Sequence, residues 1–233
     1  MTKRIYEETF DEGTNGWYAW ISNQAGPKPL ERKDGVVTSR SPWWIDYNHA
    51  PPGAGYLHMV FCLNSTGPVG EHHREVAGPN RFVNEQFPLD FRGAKLTLKL
   101  KGELLERGAK LVLLAQASHG GTTSPWVLTS QPFSITPEWS EQTIELVNDE
   151  SAWTSLGSRF DRTDMYGSLP LDTVLGKLTS NIMLVMFPLD VAPMGPLDGD
   201  PHRLRPERDY PVWRHRLPEG YINLDTVRLE FAG

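Results

Sequence analysis

Residues Lys95 to Ser118 read KLTLKLKGELLERGAKLVLLAQAS, and the two halves of this stretch differ in kind. In the first, Leu96, Leu98 and Leu100 alternate with Thr97, Lys99 and Lys101. A period of two sets the leucines on one face and the polar residues on the other, as in a half-buried strand. The second half, AKLVLLAQAS, is apolar almost throughout and suits a central strand covered on both faces. Between them ERG supplies a turn with Gly108. The same two patterns recur further along. WSEQTIELV alternates loosely through Gln142, Ile144 and Leu146, NIMLVMFPL is one apolar run of strand length, and YINLDTVRLEF alternates through Ile222, Leu224, Val227, Leu229 and Phe231. Turn-forming clusters such as DEGTNG, KDG, NSTGPVG and HGGTTSP separate the strands. The one helical pattern is LPLDTVLGKLTS, Leu169 to Ser180, with Asp172 as its cap and Leu171, Val174, Leu175 and Leu178 on one face. These patterns predict an all-β fold, a two-sheet antiparallel β-sandwich of the jelly-roll kind with one short helix and long loops.

Bulk properties narrow the rest. At 233 residues the chain is within reach of one large β domain spanning 1–233, and 39% hydrophobic residues suffice for a core. The 21 glycines and 19 prolines suit many short strands joined by turns. A net charge of -6 without a basic block argues against nucleic acid as a partner. No apolar run approaches a membrane span of about 20 residues. The single cysteine, Cys62, excludes an intrachain disulfide and reads as a small buried hydrophobe. The start, MTKRIYEETF, runs into a strand pattern without the apolar core of a signal peptide. As written this predicts a cytoplasmic protein, or a secreted one if a leader has been removed. Residues 190–220 form a Pro- and Arg-rich insert expected to be a long loop, with Trp213 as its anchor and Arg203, Arg205, Arg214 and Arg216 as a positive rim.

Three segments carry a family resemblance. EETFDEGTNGW (Glu7 to Trp17) resembles the Phe-acid-x-Gly-x-x-Gly-Trp opening of many carbohydrate-binding modules. INLDTVRLEF resembles their closing Asp-x-Val-x-Leu strand, which laminarinase-like glycosidases share. TPEWSEQTIEL is similar to an internal strand of the same modules. The resemblance covers three strands and leaves the middle of the chain unmatched. It implies a jelly roll of the concanavalin A-like or galactose-binding-like type whose first and last strands pair. It also implies a structural Ca²⁺ ion at that junction, with Asp11 and Asp225 as ligands and Glu8 as a substitute. Hard oxygen donors suit that ion, although an Asp before a turn also simply shapes the turn.

Against that background SPWWIDYNHAPPGAGYLH, Ser41 to His58, is the candidate site. Aromatic rings stack on sugar rings, and polar neighbours bind hydroxyls. Adjacent tryptophans on a strand point to opposite faces, so one of Trp43 and Trp44 belongs to the core. Trp44, Asp46, Tyr47 and Asn48 are the candidate ligand contacts, and Asp46, Asn48 and His49 are expected to share one side of an extended segment. EHHREVAGPNRF adds Arg74 and reads as a polar loop, because its adjacent histidines diverge on a strand and do not form a metal site. QASHGGTTSPW adds His119 and Trp126, and the insert adds Trp213. His49, His58 and His119 are the candidate general bases. No pair of acids at strand spacing marks a retaining glycosidase, and no nucleophile elbow or phosphate loop is present. Two functions stay open. One is a protein that binds a glycan or glycoside on an aromatic-lined face. The other is an enzyme on the same scaffold, a lyase or hydrolase acting on a glycan, glycoside or polyhydroxylated small molecule through a His base. A protein-interaction domain using that face is a third.

Overall fold

A computed structural model describes residues 4–22, 24–53, 55–67, 70–197, 203–212 and 217–232. Its strands, in chain order, are β1 (Ile5–Glu8), β2 (Trp17–Ser22), β3 (Gly26–Lys28), β4 (Glu31–Lys33), β5 (Val36–Arg40), β6 (Trp44–Asp46) and β7 (Leu57–Asn64). Then come β8 (Lys95–Leu105), β9 (Ala109–His119), β10 (Thr122–Leu128), β11 (Ser140–Glu145), β12 (Trp153–Ser155), β13 (Asn181–Pro188) and β14 (Glu219–Glu230). Among the described residues three short α-helices intervene, α1 (Glu71–Ala77), α2 (Arg81–Asn84) and α3 (Leu171–Gly176), with a 3-10 turn at Glu150–Ala152.

The strands form two antiparallel sheets. The first runs β11-β8-β14-β5-β4, and the second runs β12-β10-β9-β13-β7-β2-β3 with β6 on β7. In the first sheet β14 pairs with β8 along one edge. Its other edge is shared, with Tyr221–Leu224 on β5 and Val227–Glu230 on β1. The first and last strands therefore meet, with Ile5 opposite Glu230 and Glu8 opposite Val227.

The Lys95–Ser118 stretch shows why the fold has two layers. Leu96, Leu98 and Leu100 are buried in the core between the sheets, while Thr97, Lys99 and Lys101 face away from it. Burying each leucine contributes about 1.5–3 kcal/mol. On β9 the alternation is between two apolar environments. Leu111, Leu113 and Ala115 join the inter-sheet core, and Val112 and Leu114 join a second cluster on the opposite face of the sheet. The strand reads as a continuous apolar run because both its faces are covered. The three residues between β8 and β9, read as a turn, carry the chain from one sheet to the other.

Two further expectations are corrected. EHHREVA is the helix α1 and RFVN the helix α2, where a polar loop was expected. At α3 the N-cap position falls on Pro170, which offers no side-chain cap; Asp172 lies in the first turn and binds Arg92 and Asn148 instead. The apolar face of α3 is as expected, with Leu171, Val174 and Leu175 buried. Among the described residues no helix is long and apolar enough to cross a membrane. Cys62 is buried on β7, and burial pushes its thiol pKa well up.

Candidate functional site

The second apolar cluster lies on the face of the β2-β7-β9-β13 sheet turned away from the inter-sheet core. At its edge the face opens into a pocket of about 120 Å³, room for about four waters at roughly 30 Å³ each. Tyr18 and Trp20 come from β2, Met59 from β7, Leu114 and Gln116 from β9, and Asn181 and Met183 from β13. Each of these pairs is spaced by two, so both members face the pocket. Trp44 and Asp46 come from β6 by the same rule. Trp43, between β5 and that pair, turns the other way into the core and donates its Nε1–H to Ser39 Oγ at 2.9 Å.

The chain leaves β6 through an Asx turn. Asp46 Oδ1 accepts the Asn48 N–H at 2.8 Å. That turn brings His49 back to the same carboxylate, with Nδ1 2.7 Å from Asp46 Oδ2. Next comes a reversal through Pro51 and Pro52, and Gly53 N–H donates to Ala50 O. A side chain at Gly53 would place its Cβ 2.5 Å from His49 Cβ, so glycine is required there by the close approach of the histidine.

The opposite wall comes from the segment after β12. Phe160 N–H donates to Asn48 O, Ala50 N–H donates to Ser158 O, and His49 and Arg159 are bridge partners. This pairing delivers Arg159, whose Nη1 lies 2.8 Å from Asp46 Oδ2 and whose Nε and Nη2 lie 3.0 and 3.1 Å from the two oxygens of Asp161. Tyr166 completes the wall. Its ring is edge-on to His49 and lies 5.2 Å beneath the Arg159 guanidinium carbon.

Electrostatics follow from this geometry. Asp46 is only 1% exposed, and burial alone would raise its pKa. The charge and hydrogen bond of His49, the Arg159 guanidinium and the Asn48 N–H together outweigh that and hold it below the usual carboxylate value. An ionised Asp46 can only accept, so His49 Nδ1 carries a proton and, in the neutral ring, Nε2 keeps a lone pair. Burial raises the Tyr166 pKa, with Arg159 opposing. Among the described residues, three buried polar atoms around this pocket have no hydrogen-bond partner, namely Trp20 Nε1, His49 Nε2 and Asn181 Oδ1.

Of the residues expected at the site, the structure brings Trp44, Asp46 and His49 together. Tyr47 is largely exposed, and Asn48 turns its amide to Asp161 Oδ2 at 3.2 Å, because the strand ends at Asp46 and alternation no longer applies. His58 is buried on β7, with Nδ1 near the carbonyls of Tyr56 and Met186. His119 lies at the far end of β9, where its Nε2 binds Lys177 O at 2.9 Å. Trp126 faces the inter-sheet core and donates to Leu169 O. Arg74 sits on α1, whose His73 packs its ring against Tyr18 and Trp20. Trp213, Arg214 and Arg216 lie outside the described residues. Within the insert, Arg205 stacks on Phe160 and Tyr56 Oη donates to Pro211 O, so residues 203–212 dock beside the pocket. Sequence reasoning missed Tyr18, Trp20, Arg159, Tyr166 and Asn181 as lining residues. The i, i+2 aromatics of WYAW carried a signal for the first two.

The three residues expected as calcium ligands have protein partners. Glu8 is buried, with Oε1 accepting from Phe10 N–H and Asn15 Nδ2 and Oε2 without a hydrogen bond, 3.8 Å from Arg81 Nη1. Asp11 lines the same surface depression and accepts from Thr9 Oγ1. Asp225 pairs with Lys99 Nζ at 3.2 Å. Among the described residues no three His, Cys, Asp or Glu side chains converge as metal ligands.

No family model matches the chain, and no curated protein matches it. Among solved structures it is similar to the L4b domain of human laminin alpha-2, at 10% identity over 98% of both chains with a TM-score of 0.45. Another similar structure is described with endo-acting O-glycanases of the human gut microbiota that initiate mucin breakdown, at 13% identity over 98% of this chain and 99% of that one, TM-score 0.41. A third is the surface glycan-binding protein PbSGBP-B of Prevotella bryantii, at 12% identity over 96% of this chain and 55% of that one, TM-score 0.36. None is close enough to assign a role to any residue of this chain.

Proposed function

We propose that this protein binds a small polyhydroxylated ligand, a sugar or the terminal unit of a glycan, in the pocket walled by Trp20, Trp44, His49 and Tyr166. The observation that carries the reading is the set of unpartnered buried atoms at one place: the Trp20 Nε1 donor, the His49 Nε2 lone pair and the Asn181 Oδ1 acceptor. An unpaired buried polar atom costs about 1–3 kcal/mol. A hydroxyl both donates and accepts, so a polyol can satisfy all three while its apolar faces lie on the aromatic rings. The test is titration of a monosaccharide and oligosaccharide panel, read by calorimetry and tryptophan fluorescence. Trp20→Phe removes one donor and keeps the ring, so it should weaken binding several-fold at unchanged melting temperature. If no sugar binds, or if Trp20→Phe binds as wild type does, this pocket is not the sugar site.

A second reading is favoured by the Asp46–His49 pair. A carboxylate that fixes Nδ1–H and leaves Nε2 as a lone pair is how a histidine is oriented as a general base. Mass analysis of sugars recovered from the protein separates the two. Unchanged ligand supports binding alone, whereas a cleaved or dehydrated product supports catalysis.

A further inference from the structure

The charges of this pocket are unevenly committed. Arg159 is the one Arg or Lys among its described lining residues, and it meets two carboxylates. Nη1 serves Asp46 at 2.8 Å, and Nε and Nη2 serve Asp161 at 3.0 and 3.1 Å. One face of the guanidinium lies on the Tyr166 ring. Arg162, the next cation along the chain, is exposed and outside the lining set. Among the described lining residues a ligand carboxylate would find no uncommitted Arg or Lys and would lie close to the Asp46 charge.

The vacant hydrogen-bond positions lean the other way. Among the unpartnered buried atoms of the described residues, Asn181 Oδ1 and, in the neutral ring, His49 Nε2 are acceptors, against the donor Trp20 Nε1. Gln116 gives one of its two amide N–H groups to Ser180 Oγ, and its carbonyl oxygen is a further acceptor beside the remaining N–H. Trp20 and Trp44 present rings with centroids 6.3 Å apart. An ammonium group donates three hydrogen bonds, accepts none, and is attracted to aromatic faces.

We infer that the pocket selects its sugar by charge, taking one with a free amine ahead of its neutral parent and rejecting the acidic form, and that Asp161 sets this selectivity by keeping Arg159 occupied. The inference rests on the sugar-binding reading and gives that site its ligand class. Asp161 acts through Arg159 and is partly exposed, on a loop, so its replacement can change selectivity without dismantling the fold.

The experiment is calorimetry at pH 7 on the whole protein with matched sets of the gluco, galacto and manno configurations. Each set contains the 2-amino-2-deoxy sugar, the hexose and the hexuronate. In a configuration that binds, the amino sugar should be at least about tenfold tighter than the hexose and the hexuronate at least about tenfold weaker, each tenfold being a factor of ten in Kd. In Asp161→Asn the penalty against the hexuronate should shrink several-fold relative to the hexose. A hexuronate that binds as well as the hexose, or an amino sugar no tighter than it, overturns the inference while leaving sugar binding intact. Failure of every configuration overturns both. Unaltered selectivity in a folded Asp161→Asn removes the assignment to Asp161, and the wild-type ranking remains decisive if that variant does not fold.

Discussion

Replacing Asp46 with Asn is the sharpest probe of the site's construction. The carboxylate is 1% exposed and accepts three short bonds, from Asn48 N–H at 2.8 Å, His49 Nδ1 at 2.7 Å and Arg159 Nη1 at 2.8 Å. Asn keeps the shape and one acceptor but removes the charge. Arg159, itself buried, would then rely on Asp161 alone, and His49 would lose the partner that fixes its ring. Breaking a buried pair by removing one member costs about 3–5 kcal/mol. Because Asp161 still holds two of the guanidinium nitrogens, the lower end applies, about 3 kcal/mol. For a chain of this size each kcal/mol lowers Tm by about 2–4 °C, so the expected drop is about 6–12 °C. The acid limb should change too. Asp46 has a folded pKa below its unfolded value of 3.8. Its contribution is therefore fully present above that value and is lost as pH falls through the lower folded pKa. Thermal melts by circular dichroism from pH 7 down to pH 3 read both effects, and in Asp46→Asn this part of the acid loss should be missing. A variant melting within about 2 °C of wild type at pH 7, with the same acid limb, would show that no buried Asp–His–Arg network exists and would refute the site as built here.

Burial depresses the His58 pKa, partly opposed by the carbonyls of Met186 and Tyr56. Between the unfolded value of 6.5 and the lower folded value the unfolded chain binds the extra proton, so stability should rise with pH in that window, by at most about 1.4 kcal/mol per pH unit. Urea titrations across it should show a flatter slope in His58→Gln, and an unchanged slope would assign the effect elsewhere. Gly53→Ala should disturb His49 through their close approach, lowering sugar affinity more than an Ala placed at exposed Gly195, and equal affinities would remove that steric argument. Calcium binding by Asp11 and Asp225, with Glu8 as a substitute ligand, is a proposal. Calcium at 100 times its Kd should add about 2.7 kcal/mol, reversed by chelator and absent in Glu8→Gln, and melting curves indifferent to both would end it.

How much of this was legible in the chain depends on whether periodicity applied. Where the backbone is regular, as at Leu96, Leu98 and Leu100 or at the Trp43–Trp44 pair, alternation sorted core from pocket correctly. The pairing of the chain ends, implied by resemblance, is realised in β1 and β14. Periodicity failed where a side chain redirected the backbone. Asp46 closes an Asx turn, so His49 returns to it at i+3 while Asn48, the residue that alternation would have put beside it, turns to Asp161. It also failed for α1, since EHHREVA has a helical face that becomes readable only when Tyr18 and Trp20 are known to lie against His73.

Arg159 and Tyr166 left no trace at all, and the reason is physical. They stand in a segment without repeating hydrophobicity, SLGSRFDRTDMYG, held in place by backbone bonds to residues 48–50 and to Thr123. Such bonds are open to almost any residue type and so leave no compositional mark. The side chains that matter are chosen by what they meet after docking, here the buried Asp46 carboxylate. A lone acidic residue between aromatics at the end of a strand is thus the legible half of the site. A buried ionised carboxylate requires cationic or hydrogen-bonding partners from somewhere in the chain. For Asp46 one partner was three residues away, and the other was 113 residues away, reachable only through the fold.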